Sequence, residues 1–218
     1  ARLQLEYDIA CMNFSSSSSA ISTSNIGTTE MEVDSTLPPP PPSDDDDISK
    51  WYIVVATWGD YTLRMLSVPN LSEIQRTALG VDIQARDVLV CRLEDTEYVL
   101  VGLGDGTLLY YPIEVDTEMS GSSSSSMNSS LSFGDSRKLS LGTRAINLQS
   151  FVTENRTCIF ASCDRPSIIY SRNGKLIFNS VNVPDVLNMS PFDCEMFPES
   201  MALVSSEGLM IGSVDAIQ

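Results

Sequence analysis

Four recurring strand–turn–strand units predict an all-β chain: a β-propeller fragment of about four blades or part-blades, each an antiparallel four-stranded sheet. The units are "WYIVVATWGDYTLRMLSV", "YVLVGLGDGTLLYYPI", "CIFASCDRPSIIYS" and "MALVSSEGLMIGSV". Each runs from an apolar strand through small residues and a turn acid into a second apolar strand. The turn acids are Asp60, Asp105, Asp164 and Glu207, separated by 45, 59 and 43 residues. The long middle interval contains a Ser-rich stretch at 118–136. Removing its roughly 16–19 residues restores a spacing of ~40–45, the period of a four-stranded blade. The runs are apolar on both faces, as strands covered by neighbours on either side must be.

Along the chain, residues 3–9 form the first strand-like run, and 1–14 reads as the end of a preceding blade. Residues 15–48 read as a disordered insertion, because polyserine, polyproline and an acid run cannot bury a core. Pro38 to Pro42 favour an extended polyproline II rod, a ligand for aromatic-lined grooves, although a plain spacer is the simpler reading. Ser43 before Asp44 to Asp47 has the charge pattern of a phosphoacceptor for an acid-directed kinase. The blades then occupy 49–218, with a second disordered, Ser-rich insertion at 118–136.

Strands are predicted at 51–58, 62–68, 73–79, 87–93, 97–103 and 107–115 before that insertion. After it they are predicted at 137–142, 146–153, 157–162, 166–172, 175–179, 201–205 and 208–214. One of these has a helical competitor. "NLSEIQRTAL" carries Leu71, Ile74, Ala78 and Leu79 at helical spacing, with Ser72 and Gln75 placed like a capping box. Pro69-Asn70 makes a good hairpin turn after "TLRMLSV", and we assign the segment as a strand. Trp51, Trp58 and Tyr61 would form an aromatic anchor if exposed. Trp58, in a run of alternating apolar residues, is assigned to the core.

The glycines Gly102, Gly104 and Gly106 raise the question of a dinucleotide fingerprint, whose glycines must open a helix toward the pyrophosphate. Here "TLLYYPIEV" follows, β-branched and aromatic, with Pro112 inside it. That is a second strand. Asp105-Gly106 between two strands is a hairpin signal, because glycine tolerates the positive φ of the turn.

Composition narrows the function classes. The net charge is −16, from 13 Lys and Arg against 29 Asp and Glu, and no basic residue lies between Leu3 and Ser49. Such a chain repels phosphate backbones, so direct nucleic-acid binding is not expected. Histidine is absent, removing the usual general base and the commonest metal ligand. Cys11, Cys91, Cys158, Cys163 and Cys194 show no zinc-site spacing and read as free thiols of a reducing compartment. No catalytic, cofactor or metal residue is assigned, and no small molecule or membrane partner. Starting at Ala1, the chain reads as a piece of a longer protein, and its end blades should expose apolar faces.

Several stretches carry a family resemblance: "RTALGVDIQARDVLV", "EYVLVGLGDGTLLYY", "LGTRAINLQSF", "FASCDRPSIIYSRNGKLIFNSVNV" and "MALVSSEGLMIGSVDAIQ". In order and almost continuously over 49–218, the chain resembles the family of damaged-DNA-binding protein large subunits. "EYDIACMNF" at 6–14 resembles the strand just before. Gly104-Asp105-Gly106, Leu141-Gly142-Thr143 and Cys163-Asp164-Arg165-Pro166 are the most specific pieces. The two insertions depart from the family pattern. The resemblance implies three propellers in the whole protein, with this chain in the middle one, and an adaptor role in cullin-4–RING ubiquitin ligases. It implies a cullin-4 scaffold and WD-repeat substrate receptors as partners, damaged DNA reached only through a receptor, and a nuclear and cytoplasmic location. The large splicing factor 3b subunit and the large cleavage-and-polyadenylation subunit share the architecture and supply the alternative. "ASCDRPSIIYS" favours the ligase adaptor.

Asp60, Gly104, Asp105, Gly106, Asp164 and Pro166 are therefore expected to be structural turn residues. Arg165 is the one turn residue assigned to a partner surface.

Overall fold

The structure, a computed structural model, describes residues 5–15, 51–117 and 129–213. They form sixteen strands and no helix: β1 (Ile9–Phe14), β2 (Tyr52–Thr57), β3 (Thr62–Ser67), β4 (Glu73–Ala78), β5 (Ala85–Leu93), β6 (Thr96–Leu103), β7 (Thr107–Thr117), β8 (Ser129–Phe133), β9 (Arg137–Ser140), β10 (Asn147–Thr153), β11 (Arg156–Ser162), β12 (Ser167–Arg172), β13 (Lys175–Ser180), β14 (Val186–Cys194), β15 (Phe197–Ser205) and β16 (Gly208–Ser213). Each blade is a meander: β1–β4, then β5–β9, then β10–β13, then β14–β16. The segment with competing helical spacing is strand β4, paired with β3 from Thr62↔Ala78 to Leu66↔Glu73. Ladder bonds to a neighbouring strand outweigh a weak local helical pattern.

Each core lies between two blades, which explains the doubly apolar strands. On β6, Val99, Val101 and Leu103 face the first blade's Val54, Ala56, Leu63 and Met65. The alternate residues Tyr98 and Leu100 face Leu148, Ile159, Ala161 and Ile169 of the third blade. On β11, Cys158 and Phe160 turn the other way, onto Val186, Met189, Met201 and Leu203 of the fourth. A period of two thus feeds two cores from one strand. Burial pushes the Cys91 thiol up to about 12, with Cys158 next to it adding to the rise. Both thiols are unbridged.

The first strands of successive blades, β1, β5, β10 and β14, touch in turn. A side chain latches each pair to a backbone group. Asn13 Oδ1 accepts the Val90 N–H at 3.3 Å, and Asp87 Oδ2 accepts the Leu148 N–H at 2.7 Å. Asn147 Nδ2 donates to the Leu187 carbonyl at 3.1 Å.

Four expectations need correction. Residues 1–14 are not the end of a preceding blade: β1 pairs with β2 from Cys11↔Ala56 to Phe14↔Ile53 and is the inner strand of the same sheet. The long insertion between them hid this pairing. Residues 16–48 of that insertion lie outside the described residues, as do 118–128 of the second. The second insertion is not wholly without structure, since β8 pairs with β7 from Ile113↔Phe133 to Thr117↔Ser129. Hydrogen bonds to a strand already in place order a Ser-rich segment that could not fold alone. Strand β14 was not predicted at all. Its sequence VLNMSPFDC interrupts its apolar residues with Asn188, Ser190, Pro191 and Asp193 and shows no regular alternation, yet it pairs with β15 along most of its length. Finally, Trp58 is not core. It is 54% exposed, because the strand ends at Thr57 and Trp58 begins the turn.

Most of the exposed large apolar residues lie in the two end blades, among them Ile9, Met12 and Phe14 on β1 and Leu187, Val204 and Leu209 on β14–β16.

Candidate functional site

Because every sheet is an antiparallel meander, the β2–β3, β6–β7, β11–β12 and β15–β16 turns share one face with the connections between blades. The turn residues singled out in the sequence all fall on this rim. Those of the second and third blades are joined through the connection between the two sheets.

Asp105 and Asp60 solve their turns in the same way. Asp105 accepts the Thr107 N–H at 3.0 Å and the Thr107 hydroxyl at 2.9 Å. Asp60 likewise takes the Thr62 hydroxyl at 2.8 Å, in the sequence Gly59-Asp60-Tyr61-Thr62 that parallels Gly104-Asp105-Gly106-Thr107. Tyr61 holds φ 50 where Gly106 holds φ 81. A short polar side chain closing its own turn is the usual role of aspartate there.

Asp60 does more. Its carboxylate also receives Thr57 Oγ1, Arg64 Nη2 at 2.9 Å and Arg76 Nη2 at 3.3 Å. Arg64, 6% exposed, makes a second ion pair with Glu73 at 3.4 Å. Burial opposes the charge on Asp60, but the hydroxyls of Thr57 and Thr62 and the guanidinium of Arg64 outweigh it and hold the carboxyl at about 2. A folded value below the unfolded one means stability that is present above about pH 4 and lost as pH falls through 2. Asp60→Asn is therefore expected to lower the thermal midpoint at pH 7 and to flatten its fall between pH 4 and pH 2. Parallel curves for the two proteins across that window would show that Asp60 is not the titrating group.

Asp164 reaches outward from its own turn. It accepts the backbone N–H groups of Thr143 at 2.8 Å and Arg144 at 3.1 Å, and the Thr143 hydroxyl at 2.9 Å. These bonds, set against partial desolvation, hold its carboxyl below the usual range. Leu141 and Gly142 donate in turn to the Gly106 carbonyl at 2.9 and 3.2 Å. The two most distinctive turns, Asp105-Gly106 and Asp164-Arg165, thus clamp the connection Leu141-Gly142-Thr143-Arg144 between them. A Cβ on Gly142 would lie 2.1 Å from Asp164 Oδ1, so a larger residue there would displace the carboxylate from the clamp.

Pro166 is buried, and its carbonyl accepts the Val181 N–H at 2.9 Å. Arg165 is exposed and has no ion-pair partner within 4 Å among the described residues. Nearby, Arg144 meets Asp185 at 3.3 Å, beside a cleft of about 240 Å³ lined also by Asn147 and Leu187. The Arg64–Glu73–Arg76 network around Asp60 was not anticipated. Its signal, alternating cations and acids on adjacent strands, becomes legible only when the pairing of β3 with β4 is known. Among the described residues no group of three or more His, Cys, Asp or Glu is arranged to hold a metal ion.

The arrangement is a rim whose turns are held by carboxylate and backbone hydrogen bonds. The model of the RSE1/DDB1/CPSF1 second beta-propeller matches residues 1–214. The chain belongs to that family. Within it, the chain is 38% identical over 164 residues to DNA damage-binding protein 1 of Oryza sativa subsp. japonica and of Solanum lycopersicum. DNA damage-binding protein 1a of Arabidopsis thaliana matches at the same 38%. Each match covers 75% of this chain and 14% of the relative, so the chain corresponds to a small part of those proteins. The fold recurs at 14% identity in the crystal structure of BBS1N in complex with ARL6DN, soaked with lead, with TM-score 0.52, covering 99% of this chain and 55% of that one. As a second-propeller member of the RSE1/DDB1/CPSF1 family, this chain is a DNA damage-binding protein 1-like propeller fragment, as the turn motifs implied.

Proposed function

We propose that this chain is part of the scaffold-docking propeller of a cullin-4–RING ubiquitin-ligase adaptor. The observation that carries the reading is the 38% identity to DNA damage-binding protein 1 across 164 residues. The geometry suits the role: three inter-blade cores and a clamped rim give a body that can hold partners at fixed angles without a catalytic group of its own. In this reading the cullin-4 scaffold docks on this propeller, WD-repeat receptors dock on the others, and damaged DNA is met only through a receptor in nucleotide excision repair. The acidic charge of −16 agrees with indirect rather than direct contact with DNA. The adaptor would work in the nucleus and also the cytoplasm.

The family model also names RSE1 and CPSF1, which favours a second reading, a propeller subunit of a splicing or cleavage-and-polyadenylation complex. Affinity purification of the full-length parent from nuclear extract, followed by mass spectrometry, separates the two. Cullin-4 with several WD-repeat receptors is the expected recovery. Splicing or polyadenylation subunits without cullin would replace the function and keep the fold.

A further inference from the structure

At the end of the fourth blade opposite the clamped rim, the β14–β15 hairpin projects beyond the cores: residues 193–199 are all exposed. Three blades close this end with the same kind of hairpin, two residues between a directly paired position on each strand. Those residues are Glu94-Asp95 inside Leu93↔Thr96, Glu154-Asn155 inside Thr153↔Arg156, and Glu195-Met196 inside Cys194↔Phe197. The first two pairs are the polar kind that a solvent-facing turn favours. The third puts a methionine in the turn and a phenylalanine directly after it. Met196 is 82% exposed, the highest value for a large apolar side chain among the described residues, and Phe197 is 42% exposed. Neither belongs to any of the three inter-blade cores.

The tip is nonetheless held in place. The Phe192 and Phe197 rings lie 6.3 Å apart as a tilted pair. Asp193 Oδ1 accepts the Glu199 N–H at 3.1 Å, and Glu199 Oε2 accepts the Glu154 N–H of the third blade at 3.0 Å. The hairpin is therefore braced against its neighbour. Glu199 holds φ 46, a strained conformation for a residue with a side chain, which persists only where the surroundings fix it. Apolar residues that break the turn rule over a fixed base point to binding rather than to folding.

Charge selects the occupant. Asp193, Glu195 and Glu199 flank the tip in the chain, and residues 186–213 contain no lysine or arginine. Among the described residues none of these three acids has an ion-pair partner within 4 Å, and Arg156, next to the bracing turn, is paired with Glu154 at 3.2 Å. A second copy of a chain with net charge −16 would bring a like set of acids. An anionic lipid surface would be repelled in the same way.

We infer that this tip docks into an apolar socket on a partner protein, a socket rimmed by lysines or arginines. Met196 and Phe197 enter the socket, and Asp193 and Glu195 meet its rim. Aromatic and methionine side chains on a fixed base supply most of the affinity of such contacts, and flanking charges set the partner's orientation. The inference stands whether or not the parent protein is a ligase adaptor.

The test replaces Phe197 of the full-length protein with a photo-reactive benzoylphenylalanine, irradiates it in whole-cell extract and sequences the cross-linked peptides by mass spectrometry. The expected product is a peptide of another protein in which apolar residues are flanked by lysine or arginine. Its capture should fall about tenfold with Met196→Ser, and about tenfold with Asp193→Asn combined with Glu195→Gln. The substituted side chains are all exposed, and Asp193→Asn keeps an oxygen for the Glu199 N–H, so the variants should retain the wild-type thermal midpoint. If one variant fails to fold, the other still decides. Cross-links only to other parts of the parent, a captured surface without cations, no cross-link at all, or capture that survives the substitutions would each overturn the inference.

Discussion

Gly106→Ala should loosen the rim by about 3 kcal/mol, although the substitution adds a single methyl group. Two costs combine. Gly106 holds φ 81, a conformation that an L-residue with a side chain adopts only under strain. The added Cβ would also lie 2.3 Å from the carbonyl carbon and oxygen of Gly142. Those atoms are backbone, so no rotamer change relieves the contact. The connection would have to move, and with it the amides of Leu141 and Gly142 that bond to the Gly106 carbonyl. Moving it also breaks the hold of Asp164 on Thr143 and Arg144. Hydrogen–deuterium exchange should report roughly a hundredfold faster exchange at Leu141 and Gly142. Wild-type protection there would mean that the two turns do not clamp the connection. Gly102 and Gly106 thus make room for backbone, that of Ile146 and of Gly142, and not for phosphate.

Phe160→Ala should destabilise the junction of the third and fourth blades by about 4 kcal/mol. Phe160 is fully buried on β11, in the core it shares with Val186, Met189, Met201 and Leu203. Truncation removes the ring's contacts and leaves a void bounded by two sheets that are each held in register by ladder bonds. Neither sheet can collapse far into it. The loss should be local, with faster exchange in β10–β12 and β14–β15 and an unchanged first blade. Uniform loosening of all four blades would show instead that the cores are one cooperative unit. Phe160→Leu, which keeps most of the volume, should cost much less.

Much of the fold could be read from local chemistry. The alternation in "YVLVGL" marks a strand with two apolar faces, and Asp105-Gly106 before Thr107 marks a hairpin whether or not its neighbours are known. The same turn logic located Asp60, Asp164 and Pro166. It failed where an element owes its order to a partner. Strand β14 contains Asn188, Ser190 and Pro191, and forms because β15 supplies its ladder. Strand β8 is Ser-Ser-Leu-Ser-Phe, and forms because β7 extends far enough to receive it. Strand β1 is separated from β2 by an insertion long enough to hide their pairing. Trp58 was misplaced for a different reason: apolar alternation does not say where a strand stops.

The candidate sites divide along the same line. Sequence alone determined which residues make the rim turns, because a turn needs only its own few residues: a carboxylate to bond two residues on, and a position that tolerates positive φ. Tertiary structure decided what those turns hold. Asp164 bonds to Thr143 and Arg144 across 21 and 20 residues, and Arg64 joins Asp60 to Glu73 across a hairpin. The bond from Glu154 to Glu199, between two sheets, decided what braces the β14–β15 tip. Local propensity has a range of a few residues, whereas these contacts are set by how separate sheets stack and by the register of their ladders.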